Sequence, residues 1–137
     1  LVRARSAAQL EAASTRLRAQ QDAIQSVFDA VERDLEALRA DKVRYAAVLE
    51  TLLREAVAGI RGAPDRVLVH PDDETVGKAV VKAAGLAAEL GTDPIVRLGV
   101  RVMAGATRVE NSLPARLDAL RDELASEVSS ALRPEGA

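Results

Sequence analysis

The densest group of chemically capable side chains in this sequence is the string Arg66-Val67-Leu68-Val69-His70-Pro71-Asp72-Asp73-Glu74. Three branched apolar residues followed by an imidazole, a proline and three carboxylates predict a short buried strand over Arg66 to His70 that stops at Pro71 and passes into a helix. An imidazole and a carboxylate at a strand end can hold zinc, and a neighbouring Asp can act as general base on the metal-bound water. His70 is the only His and Cys is absent, so carboxylates alone would have to complete such a site. The same residues have a structural use. Pro71 ends the strand, while Asp72 or Asp73 can accept from free N–H groups at the helix start and favour its dipole.

Other chemistry is harder to build. Gly99 and Gly105 do not form a phosphate-cradling loop, no Gly-x-x-x-x-Gly-Lys-Ser/Thr string exists, and no Ser sits in a nucleophile-elbow string. ATP hydrolysis is therefore not expected of this chain, and neither a cofactor nor a metal is called for. A formal net charge of -2 and 1% aromatic residues supply neither the basic footprint nor the stacking platform of a nucleic-acid binder. There is no apolar run long enough to span a bilayer and no apolar stretch of a secretory signal. A start at Leu1 rather than Met suggests a processed or truncated beginning, and the lack of Cys fits the cytosol. The core must be built from Leu, Val, Ile and Ala.

The elements that would position these residues can be read in order. From Leu1 to about Arg39 there is no Gly or Pro, which predicts one long helix. Leu10, Leu17, Ile24, Val31 and Leu38 recur every seven residues, with Val27, Phe28 and Leu35 between them in the second half and Ala13, Gln20 and Gln21 in the first. The front is expected to project as a coiled-coil arm needing a partner, and the rear to pack on a domain. A plain surface helix is the alternative. Asp41 can cap a second helix to about Ile60, with Tyr45, Leu49, Leu52, Leu53, Ala56, Val57 and Ile60 on its apolar face.

After the Arg66–His70 strand, a helix with inner face Val76, Val80, Ala83 and Ala84 closes at Gly85. A weak strand near Ala87 to Leu90 precedes a turn at Gly91-Thr92-Asp93-Pro94. Leu98, Val100, Val102 and Ala104 alternate with Arg97, Gly99, Arg101 and Met103, the pattern of a sheet with one buried face. Gly105 provides a turn, Ala106 to Asn111 returns antiparallel, and Ser112 caps a last helix that carries Pro114 in its first turn. Leu113, Leu117, Leu120, Leu124, Val128 and Leu132 form its stripe, and Pro134 and Gly136 end the order. The fold class is α+β: a helical arm over residues 1–39, partner-pairing at its start, then a globular domain over 40–137 with a small mixed sheet covered by helices. Leu98, Val100, Val102, Leu113, Leu117 and Leu120 are expected in the core.

Two resemblances bear on function. The His70-Pro71-Asp72-Asp73-Glu74 string resembles the zinc motif of GlcNAc-deacetylase-like hydrolases, which also follows a strand and opens a helix. That family draws a second His from further along its fold, its Gly-rich helix start is replaced here by Lys78-Ala79-Val80, and the remaining chain is short for it. This is the remote alternative. The block from Arg97 to Leu120, with Gly99-Val100-Arg101, a turn, a strand ending in Glu110-Asn111-Ser112-Leu113, and then Ala115-Arg116-Leu117-Asp118, closely resembles the C-terminal end of the E subunit of V/A-type ATP synthases.

The second resemblance implies a non-catalytic stator component, cytoplasmic and joined to the membrane only through its complex. Its N-terminal helix would pair with the G subunit, and its C-terminal α+β domain would grip the A and B subunits of the catalytic head. Leu10, Leu17 and Ile24 are the candidate seam, and Arg108, Glu110, Asn111 and Arg116 the candidate head contacts. Asn111 can equally be a turn or cap residue, and Arg116 a locally paired one. The arm is shorter than the family's, which implies a fragment, and the family's aromatic-containing ending is replaced by Leu132-Arg133-Pro134-Glu135-Gly136-Ala137. A self-associating coiled-coil adaptor is the alternative from another class, and pairing of two isolated copies is compatible with either reading.

Overall fold

The computed structural model describes the backbone of residues 2–131, and within them the side chains of all but 2, 128, 129 and 131. By contact the chain divides into two compact units, Leu1–Arg33 and Asp34–Ala137. Helix α1 runs Val2–Leu38, as expected of a Gly- and Pro-free stretch of good helix formers. Within the first unit it is mostly solvent-exposed, and Val27, placed on the apolar side from sequence, is exposed.

In the second unit, Ala40 and Asp41 turn the chain, and the Asp41 carboxylate accepts from the Arg44 amide to start α2, Lys42–Gly59. Strand β1, Arg66–Val69, is followed by a single 3-10 turn at Pro71–Asp73 and by α3, Glu74–Ala83. Strands β2, Glu89–Thr92, β3, Gly99–Ala104, and β4, Thr107–Ser112, precede α4, Leu113–Ala131. The sheet is mixed, in the order β2-β1-β3-β4, with β1 parallel to β2 and both β1–β3 and β3–β4 antiparallel. The β1–α3–β2 segment is thus a crossover that lays a helix on the sheet.

One face of the sheet carries the core. Tyr45, Leu49, Leu53 and Ala56 of α2, Ile60 just beyond it, and Val80 and Val81 of α3 pack with Val67, Val69, Leu98, Val100 and Val102, with Leu35 and Leu38 at the margin. Helix α3 lies close because Gly77 has no side chain: a Cβ there would sit 3.0 Å from a Val69 methyl. The buried face of α3 runs through Gly77, Val80 and Val81, with Val76 and Ala84 half-buried, so Ala83 is turned to solvent rather than inward.

The weak strand also lies two residues later than expected. Its extent is set by the ladder to β1, from the Glu89 amide donating to Asp65 to the Asp93 amide donating to Val69, which draws Gly91 and Thr92 into the strand. The hairpin turns on Gly105 and Ala106. Gly105 has φ +60 and Ala106 does not share the positive φ, the type II′ pattern whose twist matches the strands.

Ser112 starts α4 by accepting from the Ala115 amide at 3.3 Å. The expected stripe of α4 is buried at Leu117, half-buried at Leu113 and Leu124, and exposed at Leu120, which is 56% accessible and not a core residue. Leu132, Pro134, Gly136 and the ending over 132–137 lie outside the described residues.

Candidate functional site

The strand-to-helix junction holds the most deeply buried charge among the described residues, the Asp73 carboxylate. His70 leaves β1 with an extended backbone, and its Nδ1 accepts from the Asp72 amide at 3.1 Å, closing the turn that Pro71 begins. Asp73 stands at the start of α3 but makes no side-chain cap. Its carboxylate points into the protein, almost wholly buried, where Tyr45 Oη donates to Oδ2 at 2.7 Å. Arg39 completes the cluster, with Nε 3.2 Å from Oδ1 and Nη2 donating to Oδ2 at 3.4 Å.

The electrostatics agree with that geometry. Burial, the hydrogen bond to Asp73 and the Asp73 charge push the Tyr45 phenol above its ordinary range. Burial works against the Arg39 charge, but Asp73 and then Tyr45 outweigh it and raise the Arg39 pKa. The capping role expected of Asp73 is therefore replaced by an ion pair that joins the end of α1, α2 and the α3 junction. Asp73 is held by a cation and a phenol, a different use from the metal ligand or base of the zinc chemistry.

The hairpin–helix block separates its four candidate residues. Asn111 is neither turn nor cap. It sits in β4 opposite Val100, and its amide donates to Leu52 O at 2.9 Å and Glu55 Oε2 at 3.2 Å while its own oxygen accepts from Arg116 Nε at 3.2 Å. Arg116 is also ion-paired with Glu55. Asn111 and Arg116 are thus brought together as a polar tie between β4, α2 and α4.

Glu110 and Arg108 lie on the opposite sheet face. Glu110 accepts from Arg101 Nη2 at 3.0 Å, and Arg101 Nη1 reaches Asp93 Oδ2 at 3.0 Å, so one guanidinium, only 16% exposed, pins the β2–β3 loop to β4. Arg108 is exposed and stands opposite Met103.

Along α1, Leu10 is 72% and Leu17 43% exposed, while Ile24 is half-buried. Leu10 and Leu17 thus present apolar side chains to solvent. No helix among the described residues is long and apolar enough to cross a membrane.

Comparison with known proteins discriminates among the readings. The family described as the ATP synthase (E/31 kDa) subunit matches residues 2–132. The chain belongs to this family. Among its curated relatives, the E subunit of the V-type ATP synthase from one strain of Thermus thermophilus is 39% identical over 134 residues, covering 96% of this chain and 69% of the relative. The V-type E subunit of Deinococcus radiodurans is 32% identical over 136 residues, with the same coverage. The A-type E subunit of Pyrococcus horikoshii is 28% identical over 135 residues, covering 91% of this chain and 66% of the relative.

As an E subunit, the chain is one part of a multi-subunit complex. The match runs from residue 2 to residue 132, so it takes in α1, the His70–Glu74 junction and the hairpin–helix block. Sequence reasoning missed Arg39, Tyr45, Glu55, Asp93 and Arg101 as members of the polar clusters. A lone Tyr on an otherwise aliphatic helix face was the available signal for Tyr45.

Proposed function

We propose that this chain is a non-catalytic peripheral-stalk component of a rotary V/A-type ATP synthase or ATPase, holding the catalytic head against torque. The observation that carries the reading is the family match together with the exposed seam of α1, at Leu10, Leu17 and, half-covered, Ile24. Burying such a seam contributes roughly 1.5–3 kcal/mol per large apolar side chain, so it favours a partner helix. That partner is the G subunit, paired with the arm over residues 1–39. The α+β domain over 40–137 then serves as the contact with the A and B subunits of the head, in the cytoplasm beside the membrane.

A stator needs stiffness and gripping surfaces rather than a reaction centre. A long helix supplies the first. A domain braced by the Arg39–Asp73–Tyr45 cluster and by the Asn111–Glu55–Arg116 tie supports the second. The head contact includes Arg108 and Glu110, while Asn111 and Arg116, on the other side of the sheet, hold β4, α2 and α4 together.

Co-expression with the G and nucleotide-binding subunits, followed by cross-linking, tests the reading. Cross-links from the start of α1 to G and from the α+β domain to A or B are expected. Recovery of the chain only as a self-paired species would support the self-associating adaptor instead.

A further inference from the structure

The sheet has two faces, and α2 and α3 cover only the one built from Val67, Val69, Val100 and Val102. On the other face, strand pairing sets side chains in rows. One row runs Glu89, Arg66, Met103, Arg108 across β2, β1, β3 and β4, and the next runs Gly91, Leu68, Arg101, Glu110.

The two rows treat their charge differently. Arg101 is consumed by Asp93 and Glu110. Arg66 and Arg108 are exposed and make no ion pair among the described residues. Arg66 does not turn to its neighbour Glu89. Its guanidinium lies over Gly91, with Nη2 2.9 Å from where a Cβ of that residue would be, so the missing side chain gives it a flat seat on the sheet. Half-buried Met103 stands between Arg66 and Arg108. In the β2–β3 loop, Asp93 both holds Arg101 and accepts from the amide of Ile95, whose side chain is 77% exposed.

We infer that this sheet face, which α2 and α3 leave uncovered, docks a carboxylate-bearing surface of the catalytic head through Arg66 and Arg108. The inference rests on the stator reading and specifies which face of the domain meets the head. The Arg66 guanidinium, seated over Gly91, loses little freedom on pairing with a carboxylate, and an Arg that becomes desolvated beside apolar groups on docking is the usual composition of an interface hot spot. Arg101, already neutralised, keeps the platform and the Ile95 loop in place. A nucleic-acid occupant would need a wider cationic field than a chain of net charge -2 supplies.

The test is binding of the full chain, paired with its G partner, to the isolated A/B head at low and at moderate salt. Arg66→Glu with Arg108→Glu is compared with Arg44→Glu and Lys82→Glu on the helical layer, which change the net charge equally. The first pair is expected to weaken binding about tenfold or more and to flatten its salt dependence, while the second leaves both near wild type. Arg66→Gln with Arg108→Gln, with melting checked by circular dichroism, gives the same direction if the reversed pair does not fold. Equal binding by all variants, or equal loss in both charge-reversed pairs, overturns the inference and leaves the stator reading standing. Failure of the wild-type chain to bind the head overturns both.

Discussion

Tyr45 and Asp73, 28 residues apart in sequence, meet through a 2.7 Å hydrogen bond, with the phenol donating to a carboxylate that is almost wholly removed from solvent. Arg39 supplies the countercharge. Removal of either partner of a buried pair leaves the other unsatisfied. Asp73→Ala is expected to destabilise the fold by about 3 kcal/mol and Tyr45→Phe by about 1–2 kcal/mol, read from urea unfolding at neutral pH. Equal and negligible effects would show that the cluster contributes no stability.

The same pair gives the fold an alkaline limit. The folded pKa of Tyr45 is raised above that of an unfolded tyrosine, so the folded protein holds the proton more tightly. Below about pH 10 both states keep it and this contribution is fully present; above that the unfolded chain loses its proton first and stability falls as pH rises. Tyr45 is the only tyrosine, so its titration can be followed alone by ultraviolet absorbance. Tyr45→Phe should remove the alkaline slope that belongs to this group, and a slope unchanged by the substitution would contradict the assignment.

Leu98 is buried with φ +50, a conformation in which a Cβ is strained, yet its carbonyl accepts from the Leu113 amide at 2.9 Å. Truncation to Ala discards the apolar contacts and keeps the strain. Truncation to Gly discards both, and the backbone term is about 1–2 kcal/mol. Leu98→Gly is thus expected to be no less stable than Leu98→Ala, the reverse of the order at an ordinary strand position, and thermal melts of the two variants decide it.

Gly99 follows directly. A Cβ there would come within 2.4 Å of Asn111 O and of Ser112 Cα, both backbone atoms of β4 that cannot swing aside. Gly99→Ala should cost about 3 kcal/mol or more and loosen the hairpin, whereas Gly59→Ala, at the end of α2 with nothing near its side-chain position, should be neutral or stabilising by up to about 1 kcal/mol. Hydrogen exchange across β3 and β4 distinguishes a loosened hairpin from a general loss of stability.

Asn111 and Arg116 share one tie but should not contribute equally. Asn111 donates to the Leu52 carbonyl as well as to Glu55, whereas Arg116 and Glu55 are both about half exposed. Asn111→Ala is expected to cost about 1–2 kcal/mol and Arg116→Ala less than about 1 kcal/mol. Chemical denaturation of the two single variants and the double variant measures the coupling, and a larger effect at Arg116 would reverse this ranking.

Local signals made much of this legible. The breaker-free stretch before Arg39, the Asp41 and Ser112 caps, the alternation from Leu98 to Ala104 and the turn at Gly105 each depend on neighbouring residues, and each element formed close to where they placed it, with β3 starting at Gly99 after the left-handed Leu98. The misreadings involve distant partners. Asp73 looked like a cap because its neighbours could not reveal that Arg39 and Tyr45 would reach it. The register of β2 depends on β1, and Leu120 is exposed although Leu117 and Leu124 on the same helical stripe are buried and half-buried. Among the head-contact candidates, strand alternation puts Glu110 and Asn111 on opposite faces of the sheet, but it does not reveal that Arg101 would hold the one and that Leu52 and Glu55 would hold the other.

The most direct test of the stator reading is sedimentation of the full chain with an equimolar amount of its G partner, with helicity recorded in parallel. A one-to-one heterodimer with a gain in helicity is expected, both lost on Leu10→Asp with Leu17→Asp while the α+β unit keeps its melting temperature. Separate sedimentation of the two chains, or a homodimer that G does not disturb, would contradict it.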